Sequence, residues 1–284
     1  MFFLIDKPLG ISSFDVIRWV RKIFSIKKMG HSGTLDPLAT GCLLIATEKS
    51  TKLLPLLEKA KKEYIFTVHL DGKSDSLDSG TPVYPLDIRN KKERTAQELK
   101  SFILSQTKQV PPSYSALHIK GERAYDLARK WENFSLPERS IEVEDAEIIE
   151  MAVNYITLRI ILSSGGYVRS FAPIIGGFFW IDGGYISSLR RTKIFTEYGV
   201  LAIENATSMD HPISISYSKL FHTIPTLEID GTQYWEIYFG KNLDLSWAEI
   251  EKRDTLIFLK YSDGNYVSLC QLHKSIATII RNDV

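Results

Sequence analysis

One carboxylate near the start of the chain lies in a segment suited to close backbone approach. Asp36 stands in KMGHSGTLDPLATG, residues 28 to 41, between Gly33 and Pro37. Glycine permits tight turns, and proline favours an extended conformation at the residue before it. Such a loop can present an acid to a substrate. The residues alone leave a second interpretation open, an Asx-type turn in which Asp36 bonds to its own backbone.

A cation that could pair with this acid occurs in GGYVRS, residues 165 to 170, where Arg169 follows Tyr167 by two positions. Residues two apart in an extended segment face the same side, so a ring and a guanidinium can be presented together. A buried arginine keeps a neighbouring aspartate ionised through charge attraction and a charge-assisted hydrogen bond. The alternative is an ordinary strand end at the surface.

Other residues allow two interpretations each. Tyr64 fits either a core aromatic or a platform on which a base stacks. Arg190 and Arg191 fit either solvated basic side chains or contacts to phosphate. The six histidines show no zinc-ligand spacing. Residues 30–41 lack the GK[ST] ending of a phosphate loop, and the chain contains no GxSxG elbow. We therefore expect no metal site.

The composition is that of a globular protein. The chain has 284 residues, 44% of them hydrophobic, which fits one large and one small domain. Two cysteines are too few for a disulfide framework. The apolar start ends at Asp6, too early for a secretory signal, and no apolar run has the roughly 18 residues of a membrane span. We expect a cytoplasmic protein that does not contact membranes.

The net charge of +1 conceals an uneven distribution. Residues 18 to 62 contain ten basic and three acidic side chains. A basic region of this kind can attract a polyanion even when the whole molecule is almost neutral. The other interpretation is a solvated helix face.

Hydrophobic periodicity and turn residues predict the elements that position these groups. Helices are predicted at 14–24, capped by Ser12 or Ser13, and at 49–62, 95–105 and 122–131. Strands are predicted at 2–5, 42–47, 64–70, 140–150 and 154–162, with further elements at 185–195 and 197–203. From about 225 onwards, short segments including TLEID, YWEIYFG and TLIFLKY predict a small all-β module.

Several segments in this order resemble the TruB family of tRNA pseudouridine-55 synthases. They are IDKPLGISSFDV, KMGHSGTLDPLATGCL, KKEY, QVPPSYSALHIKGERAYDLAR, GGYVRS and ISSLRRT, and together they extend over nearly the whole chain. The resemblance implies an α+β catalytic domain, residues 1–215, with a large, mainly antiparallel central sheet flanked by helices. It also implies a PUA-like RNA-binding β-barrel module at 225–284, for which a dimerisation or purely structural role is the alternative.

The implied reaction converts uridine 55 in the T-arm of tRNA into pseudouridine. The target base is flipped out, the N-glycosidic bond breaks, the uracil rotates, and a bond forms at C5. The resemblance implies no cofactor, a tRNA partner, and, we expect, a monomer. A catalytically silent tRNA-binding or tRNA-folding protein is the second hypothesis. A synthase in a guide-directed particle is less favoured because the chain lacks long basic tails.

Site roles follow from the matching positions. Asp36 is implied as the catalytic carboxylate and Arg169 as the partner that orients it. Tyr64 is implied to stack on the uracil, and the remaining pocket residues are Tyr167, Leu189 and His31. Contacts to the RNA backbone are implied for Lys28, Lys52, Arg190 and Arg191.

Three positions depart from the family pattern. Glu48 stands where glycine is usual, and His118 where lysine is common. Pro173 follows the YVRS segment, where the family continues with a helix. Because proline inside a helix removes a hydrogen bond, we expect that helix to start later or to kink.

Overall fold

The computed structural model describes residues 1–115, 117–119, 121–124, 127, 130, 134, 136–239, 241–246, 248, 255–261 and 267–281. The strands are β1 (Phe2–Lys7), β2 (Met29–His31), β3 (Ala39–Thr47), β4 (Lys61–His69), β5 (Gly72–Lys73), β6 (Tyr84–Pro85), β7 (Lys108–Gln109), β8 (His118–Ile119), β9 (Glu122–Arg123), β10 (Arg139–Ser140), β11 (Val143–Met151), β12 (Tyr155–Leu162), β13 (Tyr185–Thr196), β14 (Gly199–Ala202), β15 (Ser214–Ile215), β16 (Thr226–Ile229), β17 (Leu243–Asp244), β18 (Thr255–Tyr261), β19 (Val267–His273) and β20 (Ile276–Arg281). The α-helices are α1 (Ser13–Phe24), α2 (Ala96–Leu104), α3 (Phe171–Phe178), α4 (Tyr217–Leu220) and α5 (Gly231–Tyr238). Segments of 3-10 helix occupy Glu48–Leu57, Val168–Ser170 and Ile203–Asn205.

A nine-stranded sheet forms the centre of the molecule, in the order β11-β12-β4-β13-β3-β1-β15, with β14 paired to β13 and β2 to β3. Its strand pairs are antiparallel except β13 with β3, which is parallel. The predicted α+β class with a large, mainly antiparallel sheet is confirmed. The parallel pairing matters for function because it brings β13 beside the segment that follows Asp36.

Strands at the middle of the sheet are buried on both faces, which explains their nearly continuous apolar sequences. In β3, Leu43 and Ile45 point into the core shared with the helices, whereas Leu44 and Ala46 point into the opposite core. Helices α1, α2 and α3 cover the first face, because their apolar side chains belong to the same core cluster. The sheet is therefore a rigid support between two cores.

A second sheet of five strands, in the order β16-β18-β19-β20-β17, forms the C-terminal part. Phe258 and Leu269 of this sheet share a core cluster with Phe2 and Phe221. The predicted C-terminal β-module is thus present and packs on the central sheet. One segment within it was predicted wrongly: residues 234–238 of YWEIYFG belong to α5, which Asp230 caps in a reciprocal pair of hydrogen bonds with Gln233.

The other local predictions agree with the structure in most places. The capping box of Ser12 and Asp15 begins α1, and Thr95 caps α2 in the same way. The predicted helix at 49–62 is wrong, because a 3-10 segment containing Pro55 ends at Leu57 and β4 already begins at Lys61. Of the predicted helix at 122–131, the first two residues form β9, and most of the remainder lies outside the described residues. No helix in the described part of the chain has the length and apolar character needed to cross a membrane.

Pro173 does not delay the helix in which it lies. Helix α3 begins at Phe171, so Pro173 is its third residue. The first N–H groups of a helix have no acceptor within the helix, and a proline in the first turn therefore removes no hydrogen bond. The expectation of a later start is wrong, and Arg169 lies immediately before α3 in the 3-10 segment Val168–Ser170.

Two adjacent glycines in α3 allow a test of how closely this helix approaches the segment before β13. A Cβ on Gly176 would lie 1.7 Å from the carbonyl oxygen of Gly183, whereas a Cβ on Gly177 would meet no atom within 4 Å. We expect Gly176→Ala to lower the free energy of unfolding by about 3 kcal/mol through overpacking. Gly177→Ala should raise it by about 0.5–1 kcal/mol, because alanine loses less backbone entropy in a helix. Urea unfolding of both variants gives the comparison, and equal effects would contradict it.

Candidate active site

The loop that carries Asp36 is fixed by the two segments beside it. Leu35 N–H donates to Ser13 Oγ at 2.8 Å, and the same hydroxyl donates to Leu35 O at 3.0 Å. On the other side, Gly10 N–H donates to Pro37 O at 2.8 Å. The start of α1 and the turn before it therefore determine where the carboxylate of Asp36 points.

Arg169 pairs directly with this carboxylate, its Nε lying 2.9 Å from Asp36 Oδ2. The guanidinium is also held by two backbone carbonyls, since Nη1 donates to Ser76 O at 2.9 Å and Nη2 to Tyr114 O at 2.8 Å. The side chain of Arg169 is 4% exposed and that of Asp36 is 36% exposed. A buried, fully engaged cation thus orients an acid that a substrate can still reach.

A second carboxylate, that of Asp78, lies close to the guanidinium of Arg169. Asp78 Oδ2 lies 3.6 Å from Arg169 Nε, and Asp78 Oδ1 accepts hydrogen bonds from Ser76 Oγ at 2.6 Å and from Gly80 N–H at 2.9 Å. Sequence reasoning recognised the polar loop 71–80 but not this residue. The loop contains three aspartates, and its sequence does not distinguish among them. In the structure Asp78 is buried together with Ser74 and Ser76.

A cavity of about 430 Å³ opens beside Asp36, within the size range of small-ligand sites. Its walls include His31 from β2, Tyr64 from β4, Tyr167 and Leu189. The structure therefore brings all six residues proposed for the acid and the pocket around one cavity. Leu189 reaches it because β13 pairs in parallel with β3 from Leu189 onwards.

Two titratable side chains of this cavity, those of His31 and Tyr167, are kept in their neutral forms by their surroundings. Burial, together with the positive charge of Arg191, lowers the pKa of His31, so its ring is neutral at pH 7. Burial raises the pKa of Tyr167, so its phenol stays protonated. The buried polar atoms lining the cavity include His31 Nδ1 and Ser32 Oγ, which have no hydrogen-bond partner among the described residues. Unsatisfied polar atoms at a cavity wall are typical of a site for a polar ligand.

The two arginines expected to contact phosphate are both engaged within the protein. Arg191 is 1% exposed and donates to Cys42 O at 2.7 Å and to Gly33 O at 3.2 Å, so it supports the catalytic loop from inside. Arg191 also lines the cavity, and its contact with RNA stays a prediction. Arg190 is partly exposed but forms a two-pronged ion pair with Asp6, at 3.1 and 2.7 Å.

Of the two lysines expected to contact RNA, Lys52 lies in the 3-10 segment and Lys28 is hydrogen-bonded to Glu48 at its start. Lys28 is exposed, and Lys52 is half-buried. Glu48 fixes the backbone of Lys28, because its carboxylate accepts the Lys28 N–H at 3.1 Å. Glu48 has a φ of 46°, a left-handed conformation that glycine adopts at lower cost, which explains why glycine is usual at this position.

Comparison with known proteins agrees with this geometry. The family described as TruB family pseudouridylate synthase (N terminal domain) matches residues 21–168. The tRNA pseudouridine synthase B of Campylobacter curvus is 38% identical over 286 residues, covering 99% of this chain and 97% of that protein. The tRNA pseudouridine synthase B of Aquifex aeolicus is 32% identical, covering 95% of this chain and 94% of that protein.

A solved structure extends the comparison to the fold. The crystal structure of a Cbf5-Nop10-Gar1 complex contains a chain that aligns with all of this chain and 83% of its own length, at a TM-score of 0.64 and 23% identity. That likeness concerns the fold alone. The sequence relatives extend over both sheets, and their identity exceeds 30%. The chain therefore belongs to the TruB family and is a pseudouridine synthase, an isomerase.

Proposed function

We propose that the protein isomerises uridine 55 in the T-arm of tRNA to pseudouridine. The observation that carries the proposal is the ion pair of Asp36 with the buried Arg169, 2.9 Å apart, at a cavity lined by Tyr64 and Leu189. The relatives named tRNA pseudouridine synthase B support tRNA as the substrate.

The first requirement of this reaction is access to the base. A uridine inside a folded RNA loop is stacked, so the enzyme extrudes it at a cost of a few kcal/mol. Tyr64 offers a ring that can stack on the flipped uracil and offset part of this cost. Tyr167 and Leu189 enclose the base from other sides of the cavity.

The second requirement is a carboxylate at the nucleoside. Asp36 acts as the ionised group while the bond from uracil N1 to the sugar C1′ breaks, the uracil rotates, and a bond forms from C5 to C1′. The proton on C5 is lost and N1 gains one, so the product is an isomer of the substrate. Arg169 holds the carboxylate in one orientation throughout, and the enclosing walls retain the free uracil and exclude water.

The third requirement is binding to the RNA backbone without recognition of the base sequence. Lys28 and Lys52 supply positive charge beside the catalytic loop.

We divide the chain into a catalytic domain, residues 1–215, and an RNA-binding module, residues 225–284. Strand β15 at 214–215 pairs with β1, which supports the first boundary. The enzyme would act as a monomer, on tRNA in the cytoplasm.

Isomerisation replaces the hydrogen on uracil C5, and this provides the test. A tRNA transcript carrying tritium at C5 of its uridines should release one equivalent of label per tRNA to water. A matched transcript with cytidine in place of uridine 55 should bind with similar affinity and release none. Release from the second transcript would contradict the assignment to position 55. Binding without release from the first would favour a silent tRNA-binding protein.

A further inference from the structure

Lys62 is a buried cation in the wall of the active-site cavity, and nothing in the reaction described so far uses it. Strand β4 begins at Lys61, and alternate residues of a strand face the same side, so Lys62 and Tyr64 share one face. Lys62 is 7% exposed, and it lines the same cavity as Asp36. Lys62 therefore lies on the same cavity wall as the ring proposed to stack on uracil.

This ammonium has only a weak partner in the protein. Lys62 Nζ lies 3.5 Å from Glu58 O, a carbonyl that already accepts a hydrogen bond from Ser164 Oγ at 2.5 Å. Burial and the neighbouring charge of Arg191 lower the pKa of Lys62 to about 8, against an opposing attraction from Glu58. A lysine kept for structure alone would be expected to have satisfied its three donors.

Lys7 shows what such a structural lysine looks like in this molecule. It is fully buried, and its Nζ donates to Pro8 O at 2.9 Å and to Ile11 O at 2.6 Å, which fixes the turn before α1. The contrast is in the hydrogen bonds, since both lysines are buried and have lowered pKa values. Lys62 is thus a desolvated cation that lacks hydrogen-bond acceptors as close as those of Lys7.

An anion is the ligand that offsets the cost of burying such a cation. The uracil of the proposed substrate is neutral, and each nucleotide carries its negative charge on the phosphodiester. We propose that Lys62 binds a phosphate of the flipped nucleotide or of its immediate neighbour, and so fixes the backbone while the base stacks on Tyr64. This inference rests on the proposed function, because it takes the cavity to hold a flipped nucleotide.

The test combines a protein variant with a change in the RNA. Lys62→Met removes the charge but keeps an apolar stem, and we expect it to fold, since replacing a buried charge by an apolar side chain is often neutral or stabilising. Its Kd for a T-arm stem-loop should rise about 10- to 100-fold, the range of a charge-assisted hydrogen bond. Lys62→Arg should recover most of this loss.

Lys193→Met is the matched control. Lys193 lies on the neighbouring strand β13, pairs with Glu63 at 3.1 Å, and does not line the cavity. We expect this variant to change the Kd less than about twofold. Equal losses in Lys62→Met and Lys193→Met would overturn the inference, because the effect would then be one of net charge.

Stem-loops with one uncharged methylphosphonate linkage at a time, placed around the target uridine, identify the acceptor. At the linkage that Lys62 contacts, wild type should lose the same factor that Lys62→Met loses on ordinary RNA, and Lys62→Met should lose nothing further. If the loss caused by Lys62→Met and the loss caused by the uncharged linkage were additive at every linkage, the inference would be overturned. Since Kd is measured, the cycle remains informative if wild type releases no tritium, an outcome that would contradict the proposed function instead.

The pH dependence gives an independent readout. The pKa of Lys62 is lowered to about 8, so its charge is lost as the pH rises through this value. The affinity of wild type should therefore fall above pH 8 towards that of Lys62→Met, which should not change. Glu58 and Arg191 face Lys62, and His31 and Tyr167 line the same cavity, but all four are present in both proteins. A wild-type profile identical to that of Lys62→Met would contradict a charged role.

Discussion

Replacing Asp36 by asparagine is expected to abolish tritium release while RNA binding persists. Asparagine keeps the shape of the side chain and an oxygen that can accept from Arg169, but it has no ionised carboxylate. We expect the rate constant of the chemical step to fall by at least about 10⁴-fold, as when a nucleophile or base is removed. Single-turnover release from C5-tritiated tRNA measures the rate, and filter binding measures the affinity, which should change less than about threefold.

The architecture explains why this variant should fold. Asp36 is 36% exposed, so its loss leaves no empty core, and Arg169 keeps its bonds to Ser76 O and Tyr114 O and its proximity to Asp78. Asp75→Asn is the matched control, because Asp75 is an exposed aspartate in the nearby loop 71–80 and should leave the rate unchanged. Release by Asp36→Asn at the wild-type rate would refute the assignment of the carboxylate.

Changing Asp36 to glutamate separates charge from position. The carboxylate remains, but one added methylene displaces it within a loop fixed by Ser13 and Gly10. A displacement of about 1 Å from the reacting atoms can cost about 100-fold in rate. A rate between those of wild type and Asp36→Asn is therefore expected.

The parts of this site that could be predicted from sequence are those encoded by local chemistry. The glycines and proline around Asp36 predict an exposed acid in a constrained loop, and Ser12 with Asp15 predicts where α1 begins. Burial on both faces gives the apolar run of β3, which periodicity recognises as a strand. In each case the residues that decide the structure are close together in the sequence.

The parts that could not be predicted depend on pairings between distant segments. Arg190 and Arg191 are adjacent basic residues, and only the register of β13 against β3 shows that Arg191 faces Gly41 and the catalytic loop. The role of Asp78 depends in the same way on the approach of loop 71–80 to Arg169. Composition can identify such residues as charged, but not decide which are buried.

Replacing Arg169 is expected to have the second large effect, and it should lower the catalytic rate rather than the affinity for RNA. Arg169 lies behind Asp36 and is 4% exposed, so the RNA touches it little. Arg169→Lys keeps a positive charge but cannot reach Asp36, Ser76 O and Tyr114 O together, because its donors radiate from one atom. We expect kcat to fall about 100- to 1,000-fold and KM to change less than about threefold, measured by tritium release over a range of tRNA concentrations.

Arg169→Ala should lose rate as well, but it leaves Asp78 and two carbonyls without their partner, at a cost of about 3–5 kcal/mol in stability. Arg169→Lys is therefore the decisive variant, and thermal unfolding shows whether each protein is folded. Arg159→Lys is the matched control, since Arg159 is also a network arginine, bound to Glu63 and Glu147, but does not line the cavity. Equal losses in kcat and affinity at Arg169 would argue against a role beside the acid.

A double variant tests whether Asp78 acts through Arg169. Asp78 approaches the guanidinium at 3.6 Å and does not line the cavity, so its effect on Asp36 must pass through the arginine. Asp78→Asn alone should reduce kcat about 10-fold, because Arg169 loses one of its two carboxylate partners. In the Arg169→Lys background the same change should cost less than about twofold, since residues in one network are not additive. Full additivity would show that the two residues act independently.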